Sequence, residues 1–377
     1  MNSWIEIDKA SLLQNLDYFR QSIKKDVKIA SVIKANAYGH GIEEVASIIA
    51  DRTDFFAVHS IEEARIIRRF KKPILIMGYV QLKDIEEAIE SDYHFAVYNI
   101  ETIMKISEFS IKLNKDVLVH LKIETGTNRL GFTETELRNA IGIISRNEKI
   151  KVCGAYTHFA NIEDTTNHYY AELQLSRFNE RLNTIETTMN RKVDYPHTAC
   201  SAASLLFEEA QFKMIRLGIA LYGLWPSKET LLSFMLKKHD DSPAVLKPVL
   251  SWKTRVAQLK WVEEGDYIGY GCSYRTTSKT RLAILPIGYS DGLDRSLSNN
   301  GYVLINGKRA HIRGRICMNL TIVDVTHIEE VKLENEVVII GKSGYEQITA
   351  EYHASWANTI NYEIIARLGG HIKRIII

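Results

Sequence analysis

One lysine stands where it could do covalent chemistry. Lys34 lies in the segment Ser31–Gly41, which reads Ser-Val-Ile-Lys-Ala-Asn-Ala-Tyr-Gly-His-Gly and continues the apolar stretch Val27–Ile33. An amine at the end of a buried strand is poorly solvated, and its pKa is expected to fall because desolvation disfavours the charged form. A neutral amine can form a Schiff base with an aldehyde. The alternative is a surface lysine, since most lysines are exposed.

Other residues with useful chemistry follow later predicted strands. Arg129 and Arg216 are cations, and Ser201 and Gly218 are small enough to let backbone N–H groups approach an anion. His158, taken alone, is more simply explained as a buried core residue. Together with a neutral amine, this set suits a phosphorylated aldehyde cofactor, of which pyridoxal 5'-phosphate (PLP) is the common example.

The first two-thirds of the chain alternates short apolar strands with amphipathic helical patterns such as Ile61–Phe70. The predicted strands are Ile29–Ile33, Phe55–Val58, Ile74–Met77, His94–Val97, Val117–Lys122, Val152–Tyr156, Asp194–Thr198 and Met214–Gly218. Eight such alternations predict an α/β fold with an N-terminal (β/α)8 TIM barrel, in which the carboxyl ends of the strands hold the chemistry. A doubly wound open sheet is the alternative, but no GxGxxG motif follows the first strand.

The pattern changes after about residue 226. The polar segment Ser227–Ser242 is predicted to be a linker or an excursion from the barrel, and strands separated by turn signals follow it. They are predicted at Val249–Val262, Arg281–Leu285, Tyr302–Ile305, Arg309–Ile312, Thr321–Val325 and Glu336–Ile340. A final helix is predicted at about Ala350–Ile360, so this part of the chain is mostly β.

The two patterns indicate two domains. We expect a PLP-binding TIM-barrel domain at 8–235 and a C-terminal β-domain at 245–377, joined by an N-terminal strand within 1–7. Apolar segments lie close to both ends of the sequence. A strand is predicted to begin at Trp4, and the last residues are the apolar Ile375–Ile377. Such ends would suit a domain cut from a longer protein.

Composition and charge exclude several classes of partner. The 377 residues include 48 basic and 46 acidic side chains, with no long basic block, so nucleic acid is not expected. The four cysteines stand singly, without a CxxC pair, so neither a metal site nor a disulfide framework is expected. No run of about 18 apolar residues and no signal peptide occurs, so we expect a cytoplasmic protein without membrane contact by this segment.

The chain resembles the alanine racemases, PLP-dependent barrel enzymes, over essentially its full length. The motifs that support the resemblance occur in the family's order: Val32–Gly41, Lys122–Gly131, Tyr156–His158, Arg216–Ile219, Gly269–Gly271, Pro286–Gly292, Arg315–Met318 and Asn361–Glu363. The resemblance implies a homodimeric isomerase that interconverts the L- and D-forms of a small amino acid, with each active site shared across the interface. Such an enzyme would supply D-amino acid for peptidoglycan precursors.

The resemblance also implies roles for individual residues. Lys34 would hold PLP and act as one catalytic base, and Tyr270 of the other subunit would be the opposing base. Arg216 would face the pyridine nitrogen, and His158 would be bonded to Arg216 and to the catalytic tyrosine. Arg129 would bond the cofactor phenolate and approach the substrate carboxylate.

Further site residues are implied in the same way. The phosphate-binding positions are matched by Tyr38, Ser201, Gly218, Ile219 and Tyr362. Lys122 matches a lysine that is carbamylated in some members and orients Arg129. The backbone N–H of Met318 matches a contact to the substrate carboxylate, and Tyr289 matches a position in the entry corridor.

Asn319 departs from the family pattern, in which aspartate is usual. An amide can donate as well as accept, so Asn319 could hold a substrate hydroxyl. The resemblance therefore extends to the VanT-type serine racemases of vancomycin-resistant bacteria, and the segment would then be the cytoplasmic domain of a longer membrane protein. The alternatives are a free-standing housekeeping alanine racemase, a PLP barrel decarboxylase and a non-catalytic pyridoxal-binding barrel, although Gly269-Tyr-Gly271 argues against the last.

Overall fold

A computed structural model describes residues 2–164, 167–238 and 245–377. The chain divides into two units. One, here called the barrel unit, contains Ala10–Ala35 and Val45–Pro248. The other, here called the β unit, contains the residues up to Lys9, Asn36–Glu44 and Val249–Ile377. No helix in the described part of the chain is long and apolar enough to cross a membrane.

Parallel strands form the sheet of the barrel unit. In the described ranges there are eight: Lys28–Val32, Phe55–Val58, Ile74–Ile76, His94–Val97, Val117–Lys122, Ile150–Tyr156, Tyr195–His197 and Met214–Leu217. The sheet closes on itself, because Lys213 N donates to the Pro196 oxygen at 3.1 Å and Arg216 N donates to the Ala199 oxygen at 2.9 Å. The predicted TIM barrel is therefore confirmed, and the carboxyl ends of its strands share one mouth.

Helices alternate with these strands, as predicted. They are Lys9–Ser22, Ile42–Ile49, Ile61–Ile67, Ile85–Glu90, Ile100–Lys112, Glu134–Ile144, Tyr169–Met189, Ser201–Leu206 and Lys228–Lys238. The last one contradicts the predicted linker Ser227–Ser242, whose residues 239–242 lie outside the described residues. Phe234 is buried in this helix and its ring contacts those of Tyr18 and Trp225. Phe234 thus helps to attach this helix to the barrel unit.

The β unit is built on a mostly antiparallel sheet that includes both ends of the described chain. Its strands are Ser3–Ile7, Leu250–Arg255, Gln258–Val262, Tyr267–Ile268, Tyr274–Arg275, Thr280–Leu285, Tyr302–Ile305, Lys308–Ile312, Thr321–Asp324, Glu336–Ser343, Glu346–Ile348 and Lys373–Ile376. Tyr267–Ile268 and Tyr274–Arg275 form a separate two-stranded ribbon. The predicted mostly-β character of this part is confirmed. The apolar tail is a strand that pairs in parallel with Ser3–Ile7.

Two predicted elements of the β unit differ in extent from the structure. The predicted strand Val249–Val262 is broken after Arg255, because its first half pairs with Glu336–Ser343 and its second half pairs with Thr280–Leu285. The helix predicted at about Ala350–Ile360 is confirmed but ends earlier, with bounds Ala350–Ala357, and a second helix, Asn361–Ala366, follows it. Asn358 ends the first of them with a left-handed φ of 54°.

The segment after Lys34 follows an unusual path. In the turn Lys34–Tyr38, the four residues Ala35–Tyr38 have φ values between 52° and 53°, so the turn is left-handed. This conformation costs an L-residue about 1–2 kcal/mol, and neighbouring contacts must offset it. The carbonyl of Gly39 accepts a bond from Arg374 at 2.9 Å. A Cβ at Gly39 would lie 1.9 Å from the carbonyl oxygen of Ile365, so only glycine fits there.

Candidate active site

Lys34 follows the first barrel strand, Lys28–Val32, at the carboxyl-terminal mouth. Burial lowers the pKa of its amine, the positive charge of Arg129 lowers it further, and the carboxylate of Glu63 acts in the opposite direction. Burial thus favours the neutral amine, as the sequence predicted for a lysine that can react with an aldehyde.

Glu63 holds the turn that contains this lysine. Its carboxylate accepts a backbone N–H bond from Ala35 at 2.6 Å and another from His59 at 2.7 Å. The carboxylate thus joins the ends of two neighbouring barrel strands. Sequence reasoning missed Glu63, although its position three residues after the helix cap Ser60 is a recognisable N-terminal signal.

Lys122 is the last residue of the strand Val117–Lys122 and is 7% exposed. Burial, followed by the charges of Arg129 and Arg216, lowers the pKa of its amine to about 8. The amine nitrogen lies 5.6 Å from the centre of the Tyr156 ring. About half of this amine is therefore neutral near pH 8, where an ordinary lysine is almost fully charged.

Arg129 lies on an exposed loop between Ile123 and Phe132, which form a parallel bridge. The carboxylate of Glu124 accepts backbone N–H bonds from Gly126 at 2.6 Å and from Arg129 at 3.2 Å. Burial would raise the pKa of Glu124, but these backbone donors lower it overall. The loop is thus organised around an ionised carboxylate.

Gln174 fixes two segments at the mouth from the helix Tyr169–Met189. It is fully buried, and its Nε2 donates to Thr125 Oγ1 at 3.1 Å and to the His158 carbonyl at 3.2 Å. Its Oε1 accepts from Ala160 N at 2.8 Å. One amide therefore connects the loop of Arg129 to the segment that contains the predicted histidine. The helical pattern gave no signal that this glutamine is buried.

Arg216 is buried on the last barrel strand and donates to neutral acceptors. Its NH1 donates to His197 Nδ1 at 2.6 Å, and its NH2 donates to the carbonyls of Thr157 at 2.8 Å and Thr198 at 3.0 Å. His158 Nδ1 is 3.4 Å from the same NH2. Burial and the charges of Arg216 and Arg129 lower the pKa of His158 to about 3, so its ring is neutral.

Ser201 and Gly218 lie together at the starts of two short elements. Ser201 begins the helix Ser201–Leu206, and its hydroxyl accepts the N–H bonds of Gly218 at 3.0 Å and of Ala220 at 3.3 Å. Ile219 begins the 3-10 turn Ile219–Tyr222. Backbone N–H groups at such positions suit an anion. Three of the predicted phosphate positions are therefore adjacent.

The other two predicted phosphate positions belong to the β unit. The ring centres of Tyr38 and Tyr362 lie 6.2 Å apart. The left-handed turn places Tyr38 directly before Gly39, whose carbonyl Arg374 holds.

The predicted substrate-site residues of the β unit form one connected cluster. Ser290 N donates to the Met318 carbonyl at 3.0 Å, and Tyr289 N donates to the Cys317 carbonyl at 3.0 Å. The Ser290 hydroxyl also donates to the Met318 carbonyl at 2.9 Å and accepts from Asn319 Nδ2 at 2.7 Å. Sequence reasoning missed Ser290, which gives the amide donor of Asn319 a partner within the chain.

Tyr270 begins the turn Tyr270–Cys272 and is 72% exposed. Gly269 and Gly271 on either side both have φ of 71°, a conformation that glycine adopts without steric cost. The turn therefore presents the phenol to the solvent.

The barrel residues surround space for a small ligand. A cavity of about 330 Å³ is lined by Thr127, Arg129, His158, Phe159, Ala160, Ile162, Glu163 and Cys200. Nearby donors include an amine of lowered pKa, a buried arginine and backbone N–H groups at helix starts, a set that fits a phosphorylated aldehyde. Within the described ranges, no group of three or more His, Cys, Asp or Glu side chains is arranged to hold a metal ion.

Comparison with known proteins identifies the family. The domain family described as "Alanine racemase, N-terminal domain" matches residues 7–226, and that described as "Alanine racemase, C-terminal domain" matches residues 249–376. The chain belongs to the alanine racemase family. The two matched regions together include every residue whose role the resemblance implied.

Individual alanine racemases are similar along the whole chain. The alanine racemase of Leptospira interrogans is 41% identical over 381 residues, covering 100% of this chain and 96% of that protein. The structure of the Bacillus anthracis alanine racemase with bound L-Ala-P has a TM-score of 0.91 at 33% identity and covers 100% of this chain and 95% of that one. The Bartonella henselae alanine racemase, solved with covalently bound pyridoxal phosphate, has a TM-score of 0.86 at 28% identity, with 100% of both chains covered.

Proposed function

We propose that this protein is a PLP-dependent racemase that interconverts L- and D-alanine. The observation that supports the proposal most directly is Lys34, a lysine of lowered pKa at the mouth of an alanine racemase barrel. Arg216 and the Ser201 hydroxyl supply the complementary donors, because that hydroxyl accepts from the N–H groups of Gly218 and Ala220 and keeps its own proton to donate. When bound, PLP supplies the electron sink that acidifies the Cα–H of an attached amino acid.

The barrel residues suit the binding of such a cofactor. Lys34 would hold the aldehyde, and the Ser201–Gly218–Ile219 cluster would hold the phosphate. Arg216 would donate to the pyridine nitrogen and keep it unprotonated, because arginine does not give up its proton. Tyr38 and Tyr362 are assigned to the phosphate by the family resemblance alone.

Racemisation requires a proton-transfer group on each face of the substrate Cα. Lys34 is proposed for one face, because burial favours its neutral, basic form. Tyr270 is proposed for the other face. The phenol of tyrosine has a reference pKa of about 10, so it is a poor base near neutral pH unless a nearby cation lowers that pKa. His158, which is neutral and lies next to Arg216, would connect the tyrosine to that charge.

The substrate carboxylate is assigned to a second set of residues. Arg129 is proposed to contact it, since its loop is held by an ionised glutamate and by Gln174. The backbone N–H of Met318 is proposed as a further contact, and Tyr289 as an entrance residue, because both belong to the cluster that Ser290 connects.

A homodimer follows from the proposed role of Tyr270. At 72% exposure, its phenol is available to a second copy of the chain. The β unit also exposes large apolar side chains, which a partner would cover. Among them are Trp261, Tyr267, Tyr289, Met318 and Leu320. We propose that each active site takes Tyr270 from the other subunit.

Alanine is proposed in preference to serine. The serine hypothesis depends on an amide donor at Asn319, and in the structure one of the two N–H groups of that amide is already bonded to Ser290. The relatives named above are alanine racemases. The hypothesis of a VanT-type role in vancomycin resistance is based on the same residue and is weakened in the same way. Supply of D-alanine for peptidoglycan precursors is the corresponding physiological role.

Chiral analysis of the products tests this proposal. The purified protein is first loaded with PLP, and absorbance at about 420 nm monitors the loading. It is then incubated with L-alanine or L-serine. We expect D-alanine, with a higher kcat/KM than for serine, and no product from Lys34→Ala. Release of an amine would identify a decarboxylase. PLP binding without any product would identify a pyridoxal-binding barrel.

A further inference from the structure

Three buried histidines extend from Arg216 through the interior of the barrel. His197 Nδ1 lies 2.6 Å from Arg216 NH1, His197 Nε2 lies 3.0 Å from His120 Nδ1, and His120 Nε2 lies 3.2 Å from His94 Nδ1. His120 and His197 are fully buried, and His94 is 9% exposed. The three histidines lie on three different strands, and none of them has a role in the proposed racemisation.

Arg216 determines the direction of the hydrogen bonds that connect these three histidines. A guanidinium has donors only, so His197 Nδ1 must accept and the proton of that ring must lie on Nε2. A neutral imidazole has one donor and one acceptor, so His197 donates to His120 and His120 donates to His94. Burial, together with the nearby positive charge, lowers the pKa of His197 and His120 well below the usual value and keeps both rings neutral.

The barrel is shaped to admit the central ring. The pairing of two strands shifts register between Val119 and His120, so that Cys153 is an extra residue opposite them. A Cβ at Gly154, which pairs with His120, would lie 2.1 Å from His120 Nδ1. A bulge re-aims a side chain and a glycine leaves room for it. His120 therefore occupies a space that the backbone provides.

Aromatic rings also hold the histidines in place. Tyr156 stacks on His197 with ring centres 4.8 Å apart and an interplanar angle of 3°, and Tyr195 lies parallel to His120 at 6.4 Å and 6°. These flat contacts restrict rotation of the imidazoles, so the order of donors is supported by packing as well as by Arg216.

We propose that His94, His120 and His197 form a relay of neutral imidazoles, each protonated on Nε2, that positions Arg216. His120 is the central positioning residue. An apolar side chain there would remove the acceptor from His197 Nε2. His197 could then adopt the other tautomer, whose Nδ1–H opposes the Arg216 donor and displaces the guanidinium. The effect on catalysis rests on the proposed racemase function, whereas the tautomers do not.

NMR of the PLP-loaded protein with ¹³C,¹⁵N-labelled histidine tests the tautomers directly. The ring ¹³C and ¹⁵N shifts distinguish Nε2–H, Nδ1–H and charged imidazoles. Signals are assigned by their loss in His94→Gln, His120→Gln and His197→Gln. We expect all three rings to be neutral and protonated on Nε2. A charged ring or an Nδ1–H tautomer at any of the three would overturn the relay, whatever the enzyme's activity.

Two variants of His120 test the positioning role. Per PLP-loaded site, His120→Leu should lower kcat for alanine roughly tenfold or more, change KM far less, and shift His197 towards Nδ1–H. His120→Gln can accept and donate, so it should recover most of kcat. The matched control is His353→Leu, which removes a buried histidine of the β unit whose Nε2 lies 3.0 Å from the Ile339 carbonyl oxygen.

The control should leave both kcat and the His197 tautomer unchanged. Unchanged kcat together with an unchanged His197 tautomer in folded His120→Leu would refute the positioning role. If His120→Leu does not fold, His120→Gln still tests the positioning role. A His197 ring protonated on Nδ1 in His120→Gln, with wild-type kcat retained, would show that Arg216 does not need the relay.

Discussion

Replacing Lys122 with methionine is expected to stabilise the protein in buffers free of CO₂. Lys122 is 7% exposed, and burial with the charges of Arg129 and Arg216 opposes its positive charge. Methionine retains a chain of similar length without that charge. The folded state should therefore gain stability even though a proposed site residue is lost.

The size of the effect follows from the pKa. The ordinary value of 10.5 falls to about 8 in the folded protein. This difference corresponds to about 3 kcal/mol, which partial solvent screening reduces to about 2 kcal/mol. Because the unfolded chain binds the proton more tightly, the penalty is complete below pH 8, where both states are protonated. It declines between pH 8 and 10.5, as the folded state and then the unfolded state become neutral.

Denaturant unfolding at several pH values measures this penalty. At pH 7, Lys122→Met should exceed the wild type by about 2 kcal/mol, and the difference should largely disappear near pH 10.5, with the slope on denaturant unchanged. Lys83→Met, at an exposed lysine, is the matched control and should stay within about 0.5 kcal/mol of the wild type. A Lys122 variant less stable than the wild type at pH 7, or a difference independent of pH, would refute the reasoning.

Carbon dioxide should reduce the loss of stability that the charged Lys122 causes. Carbamylation requires the neutral amine and converts it to an anion near Arg129, so the buried cation disappears. Added ¹³C-bicarbonate should stabilise the wild type but not Lys122→Met, and should give a carbamate ¹³C signal. If that signal is missing, the proposed carbamylation is wrong, while the pH dependence of stability remains a separate result.

Three further predictions concern the site. Tyr270→Phe and Lys34→Ala should each be inactive alone, but subunit exchange should restore about one quarter of the wild-type activity if the site is shared; no recovery in verified heterodimers would contradict sharing. Asn319→Asp should keep the alanine-to-serine ratio of kcat/KM within about threefold, because one amide N–H already bonds Ser290 and the relatives compared are alanine racemases; a larger change would revive the serine hypothesis. Gln174→Leu should lower the free energy of unfolding by about 2–3 kcal/mol, since it deprives several buried groups of partners. Gln211→Leu is its control and should cost less, because Gln211 Oε1 is buried without a partner among the described residues; equal losses would argue against the bridging role.

The sequence was sufficient for the barrel because its strands are buried on both faces. Such strands are short, nearly continuous apolar runs, as in Phe55–Val58 and His94–Val97, and turn residues separate them. The topology then places Lys34, Lys122 and Arg216 near one mouth without further information. Lys228–Lys238 was predicted wrongly because Phe234 and Thr230 are its buried residues among those described, and two buried positions leave little periodic pattern.

The residues that organise the site were visible only in the tertiary structure. Glu63, Gln174 and Ser290 act through partners that come from other elements or loops, and each is an ordinary polar residue in its own segment. The same holds for His120, whose neighbours in the relay lie on other strands. Residue types and strand order are properties of the chain and can be read along it. The direction of a buried hydrogen bond depends on which donor the packing brings to which acceptor, and only the folded protein determines that.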